Sequence, residues 1–321
     1  MTAQPSDPKE VSLLDASTSF NVGRSIDRNF RLLTLALAIS VGLILIWIAY
    51  SLLVIALPAI QAFGLGFLFD STWNPVKNIY GALPQVYGTV MSSLLALIFA
   101  VPLGVGIAIF LTENFLKPNI LQPIAFTIEL LAAVPSVVYG LWGIFVFLPA
   151  IKPLLQGLHR SFGWIPFFST EPGGRQLFGA SLVLTIMILP TIIAISRDTL
   201  TSLPPKLRQG AYGLGATRWE TIMRVLLPAA LSGIIGSIML ALGRALGETM
   251  ALTMLVGNAN QVNVSWLAPA STLSALIANQ FAEASGLQKS SLFYAALILM
   301  VLTLIVNMLA QALVSRFEQV E

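Results

Sequence analysis

Long apolar stretches alternate with shorter polar segments along this chain, and the lengths of the apolar stretches predict its architecture. A helix needs about 20 apolar residues to cross a hydrocarbon core about 30 Å thick. Runs of that order lie at 32–57, 87–111, 124–149, 178–196, 229–256 and 292–315, so the pattern predicts an all-α membrane protein with six transmembrane helices. The first run is too long for a signal-peptide core and follows Arg24, Arg28 and Arg31, which predicts an uncleaved anchor. Residues 1–25 are polar, rich in Ser, Asp and Pro, and lack a sustained apolar face. Residues 1–30 are therefore expected to be a flexible tail, and 31–321 the transmembrane domain.

Composition agrees with the pattern: 56% of the 321 residues are hydrophobic and only 10% are charged, against about 25% in soluble domains. The chain has no cysteine, and its single histidine, His159, cannot form a metal cluster, so disulfides and thiolate or histidine-rich metal sites are excluded. A net charge of +3, scattered over short loops, offers no nucleic-acid surface. Six spans put both termini on one side. With the termini inside, eleven Lys and Arg fall in the cytoplasm and five outside, so the positive-inside rule predicts cytoplasmic termini. The outer loops at 58–86, 150–177 and 257–291 carry Trp73, Trp164 and Trp266, which suit an interfacial aromatic belt. A docking surface for an external partner would account for them as well.

Two charges interrupt the fifth run: Arg244 and Glu248 lie in an otherwise uncharged stretch from Leu226 to Leu255. A charge at the bilayer centre costs about 2.5 to 3.5 kcal/mol on insertion scales, so such residues face a polar interior. On a continuous helix the i, i+4 spacing places the two together, with Arg244 as an anion contact and Glu248 as its resting counter-charge. A purely structural ion pair fits the same spacing. Gly236, Gly243, Gly247 and Ser232 form a small-residue seam that predicts close helix contact beside the pair.

Pro102, Pro135 and Pro190 remove backbone donors within spans two, three and four and predict kinks or breaks. Around them Ser92, Ser93, Ser136, Tyr139 and Thr185, with Thr89, Ser181 and Thr191 nearby and Thr249 beside Glu248, are candidates for lining a polar path. Back-bonding to their own helices is the competing role. Glu129, about a turn and a half inside span three, is expected to reach the interface or cap a neighbour.

Between spans four and five lies LPPKLRQGAYGLGATRWETIMRVLLP, residues 203–228. Pro204 and Pro205 open a helix that runs to about Tyr212, and Gly213 and Gly215 permit a tight turn. Thr217 and Glu220 form a capping box for a second helix, and Pro228 leads into span five. A helix, a turn and a helix projecting from a membrane domain suit insertion into a groove on another protein.

This segment resembles the cytoplasmic loop of ABC importer permeases, in which Glu-Ala-Ala, three residues, Gly, nine residues and Ile-x-Leu-Pro mark the element that docks on the ATPase. Gln209, Gly210, Ala211, Gly215, Val225, Leu227 and Pro228 keep every spacing. Gln209, Gly210 and Val225 depart from the usual letters, so a salt bridge at Gln209 is unsupported, whereas docking is not affected. Ala216, Arg218 and Glu220 complete the candidate coupling set. The stretches YGTVMSSLLALIFAVPLGVGIAIFLTE (87–113), IELLAAVPSVVYGLWG (128–143) and GRALGETMALTMLVGN (243–258) look like the PstC type of phosphate permease subunit.

That resemblance implies the type I ABC importer fold in the bacterial cytoplasmic (inner) membrane. It also implies three partners: a homologous PstA-type permease, a homodimeric PstB-type ATPase and a PstS-type external phosphate-binding protein. Arg244 and Glu248 take the family's positions for phosphate passage. No cofactor is expected on this chain, and ATP and Mg belong to the ATPase.

The chain has no G-x-x-x-x-G-K-[ST] phosphate loop and no catalytic Ser, His and Asp or carboxylate pair, so energy must come from a partner or an ion gradient. Permeases for other oxyanions such as molybdate or sulfate, secondary transporters or channels, and non-transporting scaffolds also fit a buried Arg and Glu. The spaced cytoplasmic segment favours the importer.

Overall fold

The apolar runs fold as helices, and proline and glycine decide where those helices stop. This computed structural model describes residues 8–113, 115 and 117–318. Helix α1 spans Pro8–Phe63 and leads through a 3-10 turn, Gly64–Leu68, to a short hairpin of β1 (Trp73–Asn74) and β2 (Ile79–Tyr80). Then come α2 (Leu83–Thr112), α3 (Pro118–Ala133), α4 (Ser136–Phe162) and α5 (Leu177–Ser202). Helices α6 (Pro205–Gly213) and α7 (Arg218–Ala229) form the 203–228 segment. The chain closes with α8 (Leu231–Leu246), α9 (Met250–Leu255), α10 (Leu273–Gln280) and α11 (Gly286–Glu318).

Among the described residues five helices are each long and apolar enough to cross a membrane, and the pair α7 and α8, bent by 68°, makes a sixth if counted as one span. Two expected spans differ in detail. Span three, expected at 124–149, is split at Val134 and Pro135, and its continuous part is α4. Pro135 excludes the helical conformation from the residue before it, and Val134 is accordingly extended, with ψ 126°. Span five, expected at 229–256, is interrupted at Ala230 and again at Gly247–Thr249. The 16 residues of α8 rise only about 24 Å, so α8 alone falls short of the hydrocarbon thickness.

Residues 8–25, expected as part of a tail, are helical and continuous with span one. No proline lies between Pro8 and Pro58 to force an earlier stop. Residues 1–7 of the expected tail lie outside the described residues. Wide π-type turns occur at Gly143–Phe147 and Ile222–Leu226, each ending two residues before a proline, Pro149 and Pro228. A proline ring clashes with the carbonyl four residues back, and a wider turn relieves that clash.

The chain forms two units, Met1–Val54 and Ile55–Glu321. In the first, α1 from residue 27 exposes apolar side chains all round, as a lipid-facing helix does. In the second, α2 and α5 form the most extensive helix pair. Leu95, Ala96 and Ala100 pack there with Val183, Leu184, Ile188 and Ile192. A second cluster gathers Phe67, Tyr80 and Tyr294, with Phe67 stacked on Tyr294 at 4.6 Å. Trp73 and Trp266 are drawn into the protein, Trp266 stacking on Phe167 at 4.4 Å, and only Trp164 among the three stands exposed as a belt residue would. A third cluster, at the 203–228 end, joins Ala108 and Leu200 to Ile222, Leu226, Ala230 and Ile234.

The loop after α9 is fastened to α2: the Leu273 amide donates to the Thr89 hydroxyl at 2.9 Å, and that hydroxyl donates to the Gln85 carbonyl at 2.7 Å. Gly88 makes this possible, because a Cβ there would lie 2.0 Å from the Ser271 carbonyl oxygen. Gly88→Ala should destabilise the protein by about 1–3 kcal/mol and lower its Tm. Gly106→Ala in the same helix, where a Cβ meets nothing within 4 Å, should not. Equal Tm values for the two variants in detergent would contradict this packing.

Candidate functional site

The break in span five is built from its own sequence. Gly247 donates to the Gly243 carbonyl at 3.3 Å and Glu248 to the Ala245 carbonyl at 3.3 Å, so the last turn of α8 tightens and ends. Helix α9 restarts at Met250, and the Glu248 carboxylate accepts from the Ala251 amide at 3.2 Å, capping the new helix. The Glu248 carbonyl accepts from the Ser274 hydroxyl of α10 at 2.7 Å, and Thr249 donates to the Gly247 carbonyl at 3.1 Å.

This geometry removes the expected pairing of Arg244 and Glu248. Their i, i+4 spacing brings side chains together only on an unbroken helix. Here Glu248 turns to α9, and Arg208 with Glu113 is the only ion pair among the described residues. Glu248 is therefore not a counter-charge to Arg244 in this state. Arg244 instead opens onto a cavity of about 730 Å³ lined also by Thr191, Gly236, Met239, Gly243, Asn307 and Gln311. Its guanidinium has no hydrogen-bond or ion-pair partner among the described residues. Within the expected glycine seam, Gly243 faces the Asn307 amide of α11, whereas Gly236 meets nothing within 4 Å.

The hydroxyl residues divide into two groups. Ser92 and Ser93 are buried and donate to the Thr89 carbonyl at 3.2 and 2.8 Å. Thr185 donates to Ser181 O at 2.9 Å and across to Ala96 O at 3.2 Å, binding α5 to α2. Ser92 and Ser93 thus bond back within α2, Thr185 alone ties two helices, and all three are buried. Tyr139 donates to the Leu131 carbonyl at 2.9 Å, closing the break between α3 and α4, and lies near enough to Arg244 to feel its charge. Thr191 shares the Arg244 cavity, Ser136 is half-buried in the first turn of α4, and Thr249 serves the break itself. Glu129 lines a separate cavity of about 320 Å³ with Arg197.

The 203–228 segment follows its sequence closely. Pro205 opens α6, and Gly215, at φ +84°, makes the turn in the left-handed region that glycine favours. Gly213 ends the helix without that conformation. Thr217 and Glu220 form the capping box: the Glu220 amide donates to the Thr217 hydroxyl at 3.3 Å, and the Thr217 amide donates to the Glu220 carboxylate at 2.9 Å. The bond from the Thr217 amide, and second the one its hydroxyl donates to the same carboxylate at 2.8 Å, hold the Glu220 carboxyl below its ordinary value of 4.5. Gln209 and Gly210 stand exposed, and Ala211 and Ala216 are half-buried. Leu214 is 92% exposed and Trp219 66%, which leaves an apolar tip uncovered by the described residues. Leu227 and Pro228 precede the 68° bend.

Two anchors here have no local signature in the sequence. Arg208 donates through Nε and Nη2 to Glu113 Oε1 at 3.0 and 2.9 Å and through Nη2 to the Leu200 carbonyl at 3.2 Å, so α6 is tied to the ends of α2 and α5. Glu113 is 6% exposed. Arg218 lies over the Phe115 ring at 4.1 Å. The signal in the sequence was a lone acid at the end of an apolar span, but its partner is 95 residues away.

Comparison with known proteins accounts for this arrangement. The family described as binding-protein-dependent transport system inner membrane component matches residues 100–319. The phosphate transport system permease protein PstC of Haemophilus influenzae is 44% identical over 300 residues, covering 92% of this chain and 95% of the relative. The protein of the same name from Pasteurella multocida is 46% identical over 302 residues, covering 92% and 94%. Among solved structures, a bacterial ABC transporter involved in the import of the acidic polysaccharide alginate aligns with a TM-score of 0.53 at 17% identity, over 84% of this chain and 96% of that one. An inward-facing MetNI methionine ABC transporter aligns with a TM-score of 0.51 at 16% identity, over 74% and 94%.

Glu113→Gln should destabilise the protein by about 1–3 kcal/mol, because it leaves the Arg208 guanidinium without its charged acceptor. A Glu113→Gln, Arg208→Gln double variant should recover part of that loss, and additive losses in denaturant titrations would contradict the coupling. Since Glu220 has a lowered pKa, its contribution is fully present above its unfolded-state pKa and is lost as pH falls through the folded one. Amide exchange at Glu220 should speed up over that acid window in the wild type, relative to the intrinsic rate. Glu220→Gln should remove the pH dependence, and a pH-independent protection factor in the wild type would contradict this.

Proposed function

Because the chain belongs to the family of binding-protein-dependent transport system inner membrane components, and its fold is that of a type I ABC importer permease, we propose that it is the membrane-spanning subunit of an ATP-driven importer of inorganic phosphate. The free guanidinium of Arg244, opening onto a cavity within the bent and broken fifth span, carries this reading. Phosphate near neutral pH has between one and two negative charges and several acceptor oxygens. Guanidinium keeps its charge and presents a fork of donors that matches two of those oxygens.

In this reading Glu248 is a positioning residue: by capping α9 it holds the break open and leaves Arg244 without an internal counter-charge. Tyr139 and Thr191 flank the anion's route. The exposed Leu214 and Trp219 tip enters a groove on a PstB-type ATPase dimer, which carries ATP and Mg. This chain binds no cofactor and hydrolyses nothing. A PstA-type permease covers the Arg244 cavity, and a PstS-type binding protein delivers phosphate at the opposite end. Both termini and residues 203–228 face the cytoplasm of a bacterial cell, and ATPase closure switches the spans between outward-facing and inward-facing states.

The test is Arg244→Gln in the complete transporter reconstituted in liposomes, with assembly checked by co-purification. Loss of a charge-assisted hydrogen bond of about 1.5–3 kcal/mol predicts a fall in phosphate uptake of about tenfold to a hundredfold. Unaltered uptake by an intact complex would remove Arg244 from the mechanism.

A further inference from the structure

Helix α11 carries two amides where a span needs none. Between Leu292 and Leu309 its polar groups are Tyr294, Thr303 and Asn307, and Gln311 follows four residues after Asn307. Tyr294 donates to the Gly64 carbonyl at 3.1 Å, and Thr303 donates back to carbonyls of its own helix, so both are satisfied inside the chain. Asn307 and Gln311 are not: both stand exposed, and among the described residues neither amide has a hydrogen-bond partner. An unsatisfied amide in hydrocarbon costs several kcal/mol, so each needs a partner from outside this chain.

Their position specifies that partner. Residues at i and i+4 share one helix face, and Asn307 and Gln311 line the same cavity as Arg244 and Thr191. The Asn307 amide lies 3.9 to 4.0 Å from where a Cβ of Gly243 would stand, the residue next to Arg244. Gln311 stands about 6 Å further along α11, roughly one turn. The cavity therefore has a fixed cation at one side and a row of neutral donors beside it.

We propose that Asn307 and Gln311 are substrate contacts of the importer, a neutral half of the phosphate site that receives the anion from Arg244. This rests on the reading of Arg244 given above. Each amide offers two N–H donors to phosphate oxygens, and the Arg244 fork leaves other oxygens free. Neutrality is the useful property. A second guanidinium here would hold the anion too tightly to release it, whereas conduction needs successive sites of modest strength. Two amides one turn apart solvate the anion stepwise without trapping it.

The experiment uses the complete reconstituted transporter, with phosphate uptake, co-purification of all subunits, and ATPase stimulation by the loaded binding protein measured for each variant. Asn307→Asp and Gln311→Glu keep the size but replace donors with acceptors that repel an anion, and each should lower uptake at least tenfold while assembly stays intact. Asn307→Gln, which keeps the amide but displaces it by one methylene, should retain more uptake than Asn307→Asp. If Arg244→Gln fails to transport while Asn307→Asp and Gln311→Glu transport normally, the proposal is overturned and Arg244 stands. If Asn307→Asp and Asn307→Leu both disrupt assembly, the amides bind the other permease subunit, which also overturns it. If Arg244→Gln itself transports normally, the underlying reading fails first.

Discussion

Hydrocarbon supplies no hydrogen bonds, so any interruption of a membrane helix must be satisfied from within the protein. At two of the places where this chain breaks its helices, polar side chains take up the freed backbone groups. The Tyr139 hydroxyl reaches back to Leu131 across the Val134–Pro135 break. At Gly247–Thr249 the Glu248 carboxylate, the Thr249 hydroxyl and the Ser274 hydroxyl take the freed amide and carbonyls. A continuous fifth helix would have placed Glu248 against Arg244 and neutralised it. The break separates them, and the free guanidinium that carries the proposed function is a consequence of it.

The same helix connects the charge to the 203–228 segment. Ile222 and Leu226 of α7, Ala230 at the bend and Ile234 of α8 pack in one cluster with Ala108 and Leu200. Arg208 adds a polar tie from α6 to Glu113 and the Leu200 carbonyl. Displacement of the segment by a docked ATPase would therefore act on the ends of α2 and α5 and, through the 68° bend, on α8, whose last turn bears Arg244. The exposed Leu214 and Trp219 lie at the other end of this chain of contacts, where a partner would push.

Local chemistry was legible in the sequence and long-range geometry was not. Apolar length marked the helices, Pro135 marked a break, and the Thr217 and Glu220 capping box was readable because its residues lie three apart. Arg244 stood out as a charge in an apolar run. The i, i+4 spacing puts Glu248 against Arg244 only on an unbroken helix, and the glycines that end α8 equally suit tight helix packing. Ser92, Ser93 and Thr185 carried no signal that separates a back-bonded hydroxyl from a path-facing one. Arg208 and Glu113 meet across 95 residues, and Asn307 reaches Gly243 from another helix, contacts that only the fold creates.

The most direct measurement is anion uptake by liposomes containing this chain with its permease, ATPase and binding-protein partners, with ATP supplied on the ATPase side. The account predicts phosphate accumulation that requires ATP hydrolysis and withstands excess sulfate or molybdate. Phosphate entry without the ATPase, or equal uptake of all three anions, would contradict it.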